Sequence, residues 1–182
     1  MNIRLLDNND EIRQTYINIF LLNKTDFELT HRDFVSDLKQ REKDYEAWYD
    51  NSFMWDRMPS EYHIISISKA LESLKDKSGD VLFMSEKKGF GGTCRLVLEN
   101  EMVEGFVAKT DAAELAKLIE YEWYTGWKAF WEERYFEGSL PEDLYIFDET
   151  FRWTIVFTHE TEWSAEGATK PETRFCIEHT VI

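Results

Sequence analysis

Cysteine is scarce in this chain. Only Cys94 and Cys176 occur in 182 residues, which excludes a disulfide framework and a four-cysteine zinc site. Three prolines and eight glycines leave little punctuation, and no linker or low-complexity tract divides the chain, so a single domain over 1–182 is expected. Long apolar runs are missing too: the longest stretch, INIFLL at 17–22, falls far short of a bilayer span. The opening MNIRLLDNNDEIR has acids where a signal peptide needs an apolar core. The expectation is a soluble, cytoplasmic protein. Positive charge is in short supply, with 21 Lys and Arg against 36 Asp and Glu, a net charge of −15. Aromatics are plentiful. Seven Trp, eight Tyr and 13 Phe exclude disorder and supply enough apolar surface for a core without metal or staples.

The acidity is uneven. Residues 1–98 carry 17 acids and 14 bases, whereas residues 99–182 carry 19 acids and 7 bases. A field of one sign repels nucleic acid and anionic lipid and speeds encounter with cationic partners. Direct nucleic-acid or membrane binding is therefore not expected. The plain alternative is acidity for solubility alone, common among bacterial cytosolic proteins.

Hydrophobic spacing predicts a first helix from Asn9, with Ile12, Tyr16, Ile19 and Phe20 on one side behind an Asn or Asp cap. After a polar break, NKTDFELT, a second helix is expected from Thr30 to about Asp50, with Asp33 as a capping acid and Phe34, Val35, Leu38, Tyr45, Trp48 and Tyr49 inward. A third is expected over SEYHIISISKALESLKDKSG, closed by Gly79, with Ile64, Ile67, Leu71 and Leu74 as its stripe. The period then shortens: DVLFMSE, CRLVLEN and MVEGFVAK read as strands. Asp111 and Glu114 form a capping box for a long helix, kinked or ended at Gly126 and continued by WKAFWEERYFEG to Gly138. LYIFD and FRWTIVFTHE read as a hairpin, the second arm setting Phe151, Trp153, Ile155, Phe157 and His159 against Arg152, Thr154, Val156 and Thr158, with one face buried. A polar loop, TEWSAEGATKPET, leads to a last strand, RFCIEHTVI. The order points to α+β, with N-terminal helices packed on a mostly antiparallel sheet and one long helix in the C-terminal half.

Motifs for chemistry are few. The loop KKGFGGTCR has neither GxxxxGK[ST] nor GxGxxG spacing and precedes a strand pattern, so it reads as a hairpin turn, and no cofactor is expected. Cys94 beside Lys87, Lys88 and Arg95 has the basic neighbours of a nucleophile but no partner signature. Of His31, His63, His159 and His179, the last two, with Glu160, Glu162 and Glu178, would form a ligand cluster if the final strands paired in a suitable register. Both histidines run in phase with apolar faces, however, while Glu160 and Glu178 run out of phase, so no metal site is assigned. Carboxylate pairs such as Glu120 and Glu122, or Glu142 and Asp143, are too numerous to single out a glycosidase. Trp123, Trp127 and Trp131 recur every four residues on one helical side. Most such stripes are core, yet acids edge this one, as at an interface where aromatics anchor and carboxylates steer.

The stretch LPEDLYIFDETFRWTIVFTHETE, residues 140–162 and about one-eighth of the chain, resembles the closing hairpin of small, functionally uncharacterised bacterial proteins, and implies no catalytic residue. Size, acidity and aromatic content are similar in kind to bacterial immunity proteins that neutralise basic nuclease toxins, although no diagnostic motif of those proteins is matched.

Two functions follow as expectations. The first is a non-enzymatic module for a basic protein partner, of immunity type, acting by occlusion, with Glu132, Glu133, Glu137, Asp148 and Glu149 as steering carboxylates and Trp131 and Trp163 as anchors. The second is a small hydrolase or metal-assisted enzyme built on a carboxylate cleft or the His159 and His179 region.

Overall fold

Strand β8 (Trp153–Trp163) is apolar or threonine on both sides through its first half, and the architecture follows from covering both. The computed structural model describes residues 2–31, 38–59, 61–86, 94–163 and 169–181. In it β8 lies between β7 (Leu144–Phe147) and β9 (Thr169–Thr180), within a sheet completed by β1 (Arg4–Leu5), β2 (His63–Ser66), β3 (Asp80–Met84) and β6 (Val107–Asp111). The order is β1-β6-β3-β7-β8-β9-β2, and every pairing is antiparallel. A separate hairpin joins β4 (Arg95–Leu98) to β5 (Glu101–Glu104). The helices are α1 (Asn9–Phe20), α2 (Lys24–His31), α3 (Leu38–Asn51), α4 (Ile67–Lys75) and α5 (Ala112–Trp131). The α+β class read from the sequence is the one observed.

One face of the sheet packs Phe83, Ile146, Ile155 and Phe157 against Leu71 and Leu74 of α4 and Leu115 and Ile119 of α5. The other packs Met84, Phe147 and Val156 against Tyr16 and Phe20 of α1 and against Met54 and Met58 around a short 3-10 turn, Met54–Arg57. The expectation of one buried face on β8 is thus corrected: Thr154, Val156 and Thr158 are buried as well. Burial is tolerated because their hydroxyls are bonded. Thr154 Oγ1 donates to Ile146 O at 3.1 Å and meets Tyr16 Oη at 2.8 Å, and Thr158 Oγ1 donates to Phe175 O at 2.7 Å.

Other expectations shift for tertiary reasons. The break NKTDFELT is mostly helix α2, whose apolar anchor Phe27 lies 4.9 Å from Trp48 and 5.6 Å from Tyr49 of α3, ring centre to ring centre. Packing stabilises a short helix that local pattern does not announce. The expected junction at Asp33, Phe34 and Val35 lies outside the described residues. HIIS, read as the start of a helix, is β2, paired Ile64 to Ile177 and Ile65 to Cys176, and the helix starts only at Ile67 beneath its Ser66 cap. Ile64 is consequently exposed. MVEGFVAK splits at Gly105, φ 60°, into β5 and β6. The polar loop after β8 is shorter than expected, since β8 runs to Trp163 and β9 begins at Thr169. Helix α5 passes through Gly126 and stops at Trp131. Its Asp111 cap accepts from Glu114 N at 3.0 Å, as the capping box requires, while Glu114 pairs with Lys117 rather than reaching back. At α1 no side chain caps the helix; Asn9 Oδ1 instead accepts from Val107 N at 3.1 Å and ties the helix to β6.

Polar groups knit the α1 side. Arg13 donates to Ser85 O at 2.6 Å and Phe106 O at 3.1 Å. The buried Glu86 carboxylate accepts from Met54 N at 2.6 Å and from the Tyr145 hydroxyl. Burial raises the Glu86 carboxyl above its ordinary range, against the hydrogen bonds that hold it ionised. In the pH window just above the ordinary carboxylate pKa the folded chain holds a proton at Glu86 that the unfolded chain has lost, so stability falls as pH rises through that window. Glu86→Gln keeps an oxygen acceptor and is expected to remove that decline, with urea unfolding at a series of pH values as the measurement.

The β4–β5 turn places Glu99 and Asn100 at φ 50° and 71°, the paired left-handed geometry of a two-residue hairpin loop that Asn-Gly fits best. The double substitution Glu99→Asn, Asn100→Gly is expected to stabilise the fold by about 1 kcal/mol, read by thermal unfolding.

Candidate functional site

The buried stripe of α5, Ala112, Leu115, Ala116 and Ile119, continues at the same spacing into Glu122, Trp123, Gly126 and Trp127. The first half of that stripe lies on the sheet. The second half overhangs a groove of about 600 Å³ between α5, the returning segment 134–144 and the middle of β8 and β9. Trp123 and Trp127 are half-buried there, so the tryptophan stripe is neither sealed core nor open surface.

Glu122 shapes the groove. One carboxylate oxygen accepts from Ser139 N at 2.8 Å and from the Ser139 hydroxyl, and the other from Leu140 N at 2.9 Å. The chain is thereby turned back beneath the helix it has just left. A Cβ at Gly138 would sit 2.8 Å from Glu122 Oε2, so a side chain there must displace the clamped carboxylate, and one at Gly126 would sit 3.2 Å from the Phe136 ring, which would have to give by a few tenths of an ångström. Val97 N donates to Ser139 O at 2.8 Å and fastens the β4–β5 hairpin to the same segment.

Arg174 and His159 form the floor. Arg174 is 7% exposed. Its Nε donates to Thr158 O at 2.6 Å, its Nη2 donates to Glu142 O, and its guanidinium carbon lies 4.5 Å from the Trp123 ring centre. Burial lowers the guanidinium pKa, opposed by the nearby Cys176, Asp143 and Glu142. The fully buried Asp143 carboxylate accepts from His159 N at 2.9 Å and meets His159 Nδ1 at 2.9 Å through its other oxygen. That fixes the ring and leaves Nε2 as its second nitrogen. Glu160 Oε1 stands 3.5 Å from Nε2, too long for a good hydrogen bond.

At the outer rim, cross-strand pairing of Arg95 with Glu104 and Val97 with Met102 sets these four on the outer face of the hairpin, while Leu96, Leu98 and Val103 face the core. Arg95 Nη1 reaches Met102 Sδ at 3.5 Å and Nη2 reaches Glu137 Oε1 at 2.7 Å, and the Tyr135 hydroxyl donates to Glu137 Oε2 at 2.8 Å. Tyr135 at 85% and Met102 at 67% exposure are the two most exposed large apolar side chains among the described residues. Arg95 and Glu137 join them into one patch.

The five carboxylates expected to steer a partner fall in two places. Glu132, Glu133 and Glu137 follow α5, and Glu137 bonds Arg95 and Tyr135. Asp148 and Glu149 follow β7 at the opposite end of the sheet, where α5 begins, so the roughly 30 Å length of a 20-residue helix separates the groups. Asp148 holds its own turn, accepting from Arg152 N at 2.8 Å, and those bonds lower its carboxyl pKa despite partial burial. Glu149 pairs with Lys109 at 2.7 Å, and Glu132 with Arg134 and, at 3.9 Å, with Lys128. Trp131 and Trp163 end α5 and β8, and their side chains lie outside the described residues.

The His159 and His179 cluster does not form. Antiparallel register sets His179 opposite Thr154, about 17 Å along β8 from His159 at roughly 3.4 Å per residue. No group of three His, Cys, Asp or Glu residues that could hold a metal occurs among the described residues. Cys94 and Cys176 are both buried, and burial pushes the Cys176 thiol up to about 12, the reverse of what a nucleophile needs. The loop at 87–93 lies outside the described residues. No helix among the described residues is long and apolar enough to cross a membrane.

Sequence reasoning missed Arg95, Met102, Glu104, Tyr135 and Arg174, although the hairpin strands were legible and a two-residue turn at Glu99 and Asn100 would have placed Arg95 opposite Glu104. Compared with known proteins, the chain matches no family model, no curated protein and no solved structure.

Gly138→Ala forces its methyl onto the Glu122 carboxylate and is expected to cost about 1–3 kcal/mol in urea unfolding. Paired with Glu122→Ala, it should cost less than the sum of the two single changes, because the clash and the clamp share one carboxylate.

Proposed function

We propose that the chain is an acidic protein-binding module that occludes a basic partner, of the kind presented by a nuclease-like toxin, on the face formed by the outer side of the β4–β5 hairpin and segment 132–137. One observation carries the reading: the two most exposed apolar side chains, Met102 and Tyr135, are bridged by Arg95 and Glu137 into a single patch. Paired across the hairpin with Arg95 or next along the chain stand Glu104, Glu132, Glu133 and Glu137, with Arg95, Lys128 and Arg134 as the neighbouring cations, in a chain of net charge −15. A ring and a thioether ringed by carboxylates suit a cationic surface. The long-range field speeds encounter, and the ring supplies contact energy at short range. Asp148 and Glu149, a helix length away, contribute to the field and not to the contact.

The test is inhibition of a panel of purified basic nuclease domains. Inhibition of at least one is expected, weakening steeply between low and high salt. Tyr135→Ala with Met102→Ser should weaken it at least about tenfold, while Asp148→Ala should leave affinity at fixed salt nearly unchanged. Absence of inhibition across the panel, or inhibition indifferent to the Tyr135 and Met102 changes, overturns the reading.

A further inference from the structure

Behind that rim, the groove floor brings together parts that docking does not use. Asp143 and His159 are the residues next to Glu142 and Thr158, whose carbonyls hold Arg174. Imidazole and guanidinium are therefore held by the same two stretches of chain, 142–143 and 158–159. Both Nε and Nη2 of Arg174 are committed to those carbonyls, and among the described residues Nη1 has no hydrogen-bond or ion-pair partner, although the side chain is more than nine-tenths buried and lines the groove. His159 also lines it, its Nδ1 fixed by a fully buried carboxylate and its ring centre 4.8 Å from that of Phe53. The walls are Trp123, Trp127, Phe136, Leu140 and Phe157.

We propose that this groove is a hydrolytic site for neutral acyl compounds, esters foremost, with an aromatic or apolar acyl group. His159 is the general base, Asp143 its positioning residue, and Arg174 the donor to the carbonyl oxygen. In the step, His159 Nε2 takes a proton from a water molecule as the water oxygen bonds to the acyl carbon. The carbonyl electron pair moves onto the oxygen beside Arg174 Nη1. Collapse of the tetrahedral species re-forms the carbonyl and breaks the bond to the leaving alkoxide, which takes the proton from His159. The products are a carboxylic acid and an alcohol, and water is the only co-reactant. A buried guanidinium binds the developing oxyanion more strongly than the ground-state carbonyl, which is the condition for catalysis. A neutral substrate is chosen because the carboxylates along the groove, Glu122, Glu137 and Glu142, outnumber its guanidinium groups, Arg95 and Arg174, and Arg95 is already paired with Glu137. A nucleophilic side chain is unnecessary, since a base within reach of water suffices.

The full chain is tested with p-nitrophenyl phenylacetate, with p-nitrophenyl phosphate as the anionic comparison. The ester should be hydrolysed faster than by an equal concentration of free imidazole, and the phosphate should not turn over. His159→Ala should lower kcat/KM by about 100-fold or more, and added imidazole should restore part of it, which no structural role would produce. Asp143→Asn should lower kcat with KM little changed. Should that buried change disturb folding, seen by near-ultraviolet circular dichroism, Trp127→Ala at the half-buried wall gives a second reading, raising KM with kcat retained. Wild-type activity no greater than imidazole, an unchanged rate in His159→Ala, or turnover of the phosphate in place of the ester overturns the proposal. Nuclease inhibition is read separately, so either result stands without the other.

Discussion

The Glu122 carboxylate is the interaction on which everything near the site depends. Three donors from Ser139 and Leu140 converge on it, and a charged acceptor in a partly buried position makes such bonds stronger than neutral ones. The reversal after α5 exists because this carboxylate hangs from the helix's inner stripe and gathers the chain as it returns. Gly138 lets the backbone come close enough, and Gly126 gives Phe136 a place against the helix. Once segment 138–140 is fixed, Ser139 O receives Val97 N and the β4–β5 hairpin is locked beside it. Arg95 then reaches Glu137, so groove and patch are two sides of one clamp.

Net charge and local contact separate cleanly in this molecule. Much of the acidity is answered locally: Glu114 by Lys117, Glu120 by Lys75, Glu137 by Arg95, Glu149 by Lys109. Exposed pairs of this sort contribute little to stability, and they leave the overall excess of acids intact. The excess acts at a distance on encounter. What a partner would touch is set by apolar exposure, which is greatest at Tyr135 and Met102 among the described residues. Trp123 and Trp127 line the groove.

Much of the fold was legible because period and caps agree with the tertiary outcome. The start of α1, the Asp111 cap of α5, the strands β3 and β4 and the β7–β8 hairpin all follow from local pattern. Where pattern misled, a distant partner decided. Helix α2 needs Phe27 against Trp48 and Tyr49, and β2 needs the edge of β9, which turned four residues of apparent helix into strand. Buried threonines made β8 look one-sided, because composition does not reveal which hydroxyls find carbonyls. The site was less legible for the same reason. Glu132, Glu133 and Glu137 were chosen on charge, and charge alone could not separate them from Asp148 and Glu149. Arg174 carries no motif, and its place depends on strand register.

That register explains the floor of the groove. The pairing of β8 with β9 slips between Phe157 and Thr161, and such an irregularity leaves strand carbonyls without ladder donors. Arg174 meets the need at Thr158 O, and also reaches Glu142 O at the approach to β7. A buried cation held by carbonyls and the rings of Trp123 and Phe157 is expensive to desolvate, and an apolar residue of similar volume would be as stable were the carbonyls paired otherwise. The irregular stretch uses Nε, at Thr158 O, the approach to β7 uses Nη2, at Glu142 O, and Nη1 is left over. The residue after Thr158 is His159, and it is within the same irregular stretch that Asp143 receives both its backbone N–H and its Nδ1. One departure from regular pairing therefore accounts for the carbonyl that Arg174 answers and adjoins the imidazole that Asp143 orients, both lining the groove that Glu122 also lines.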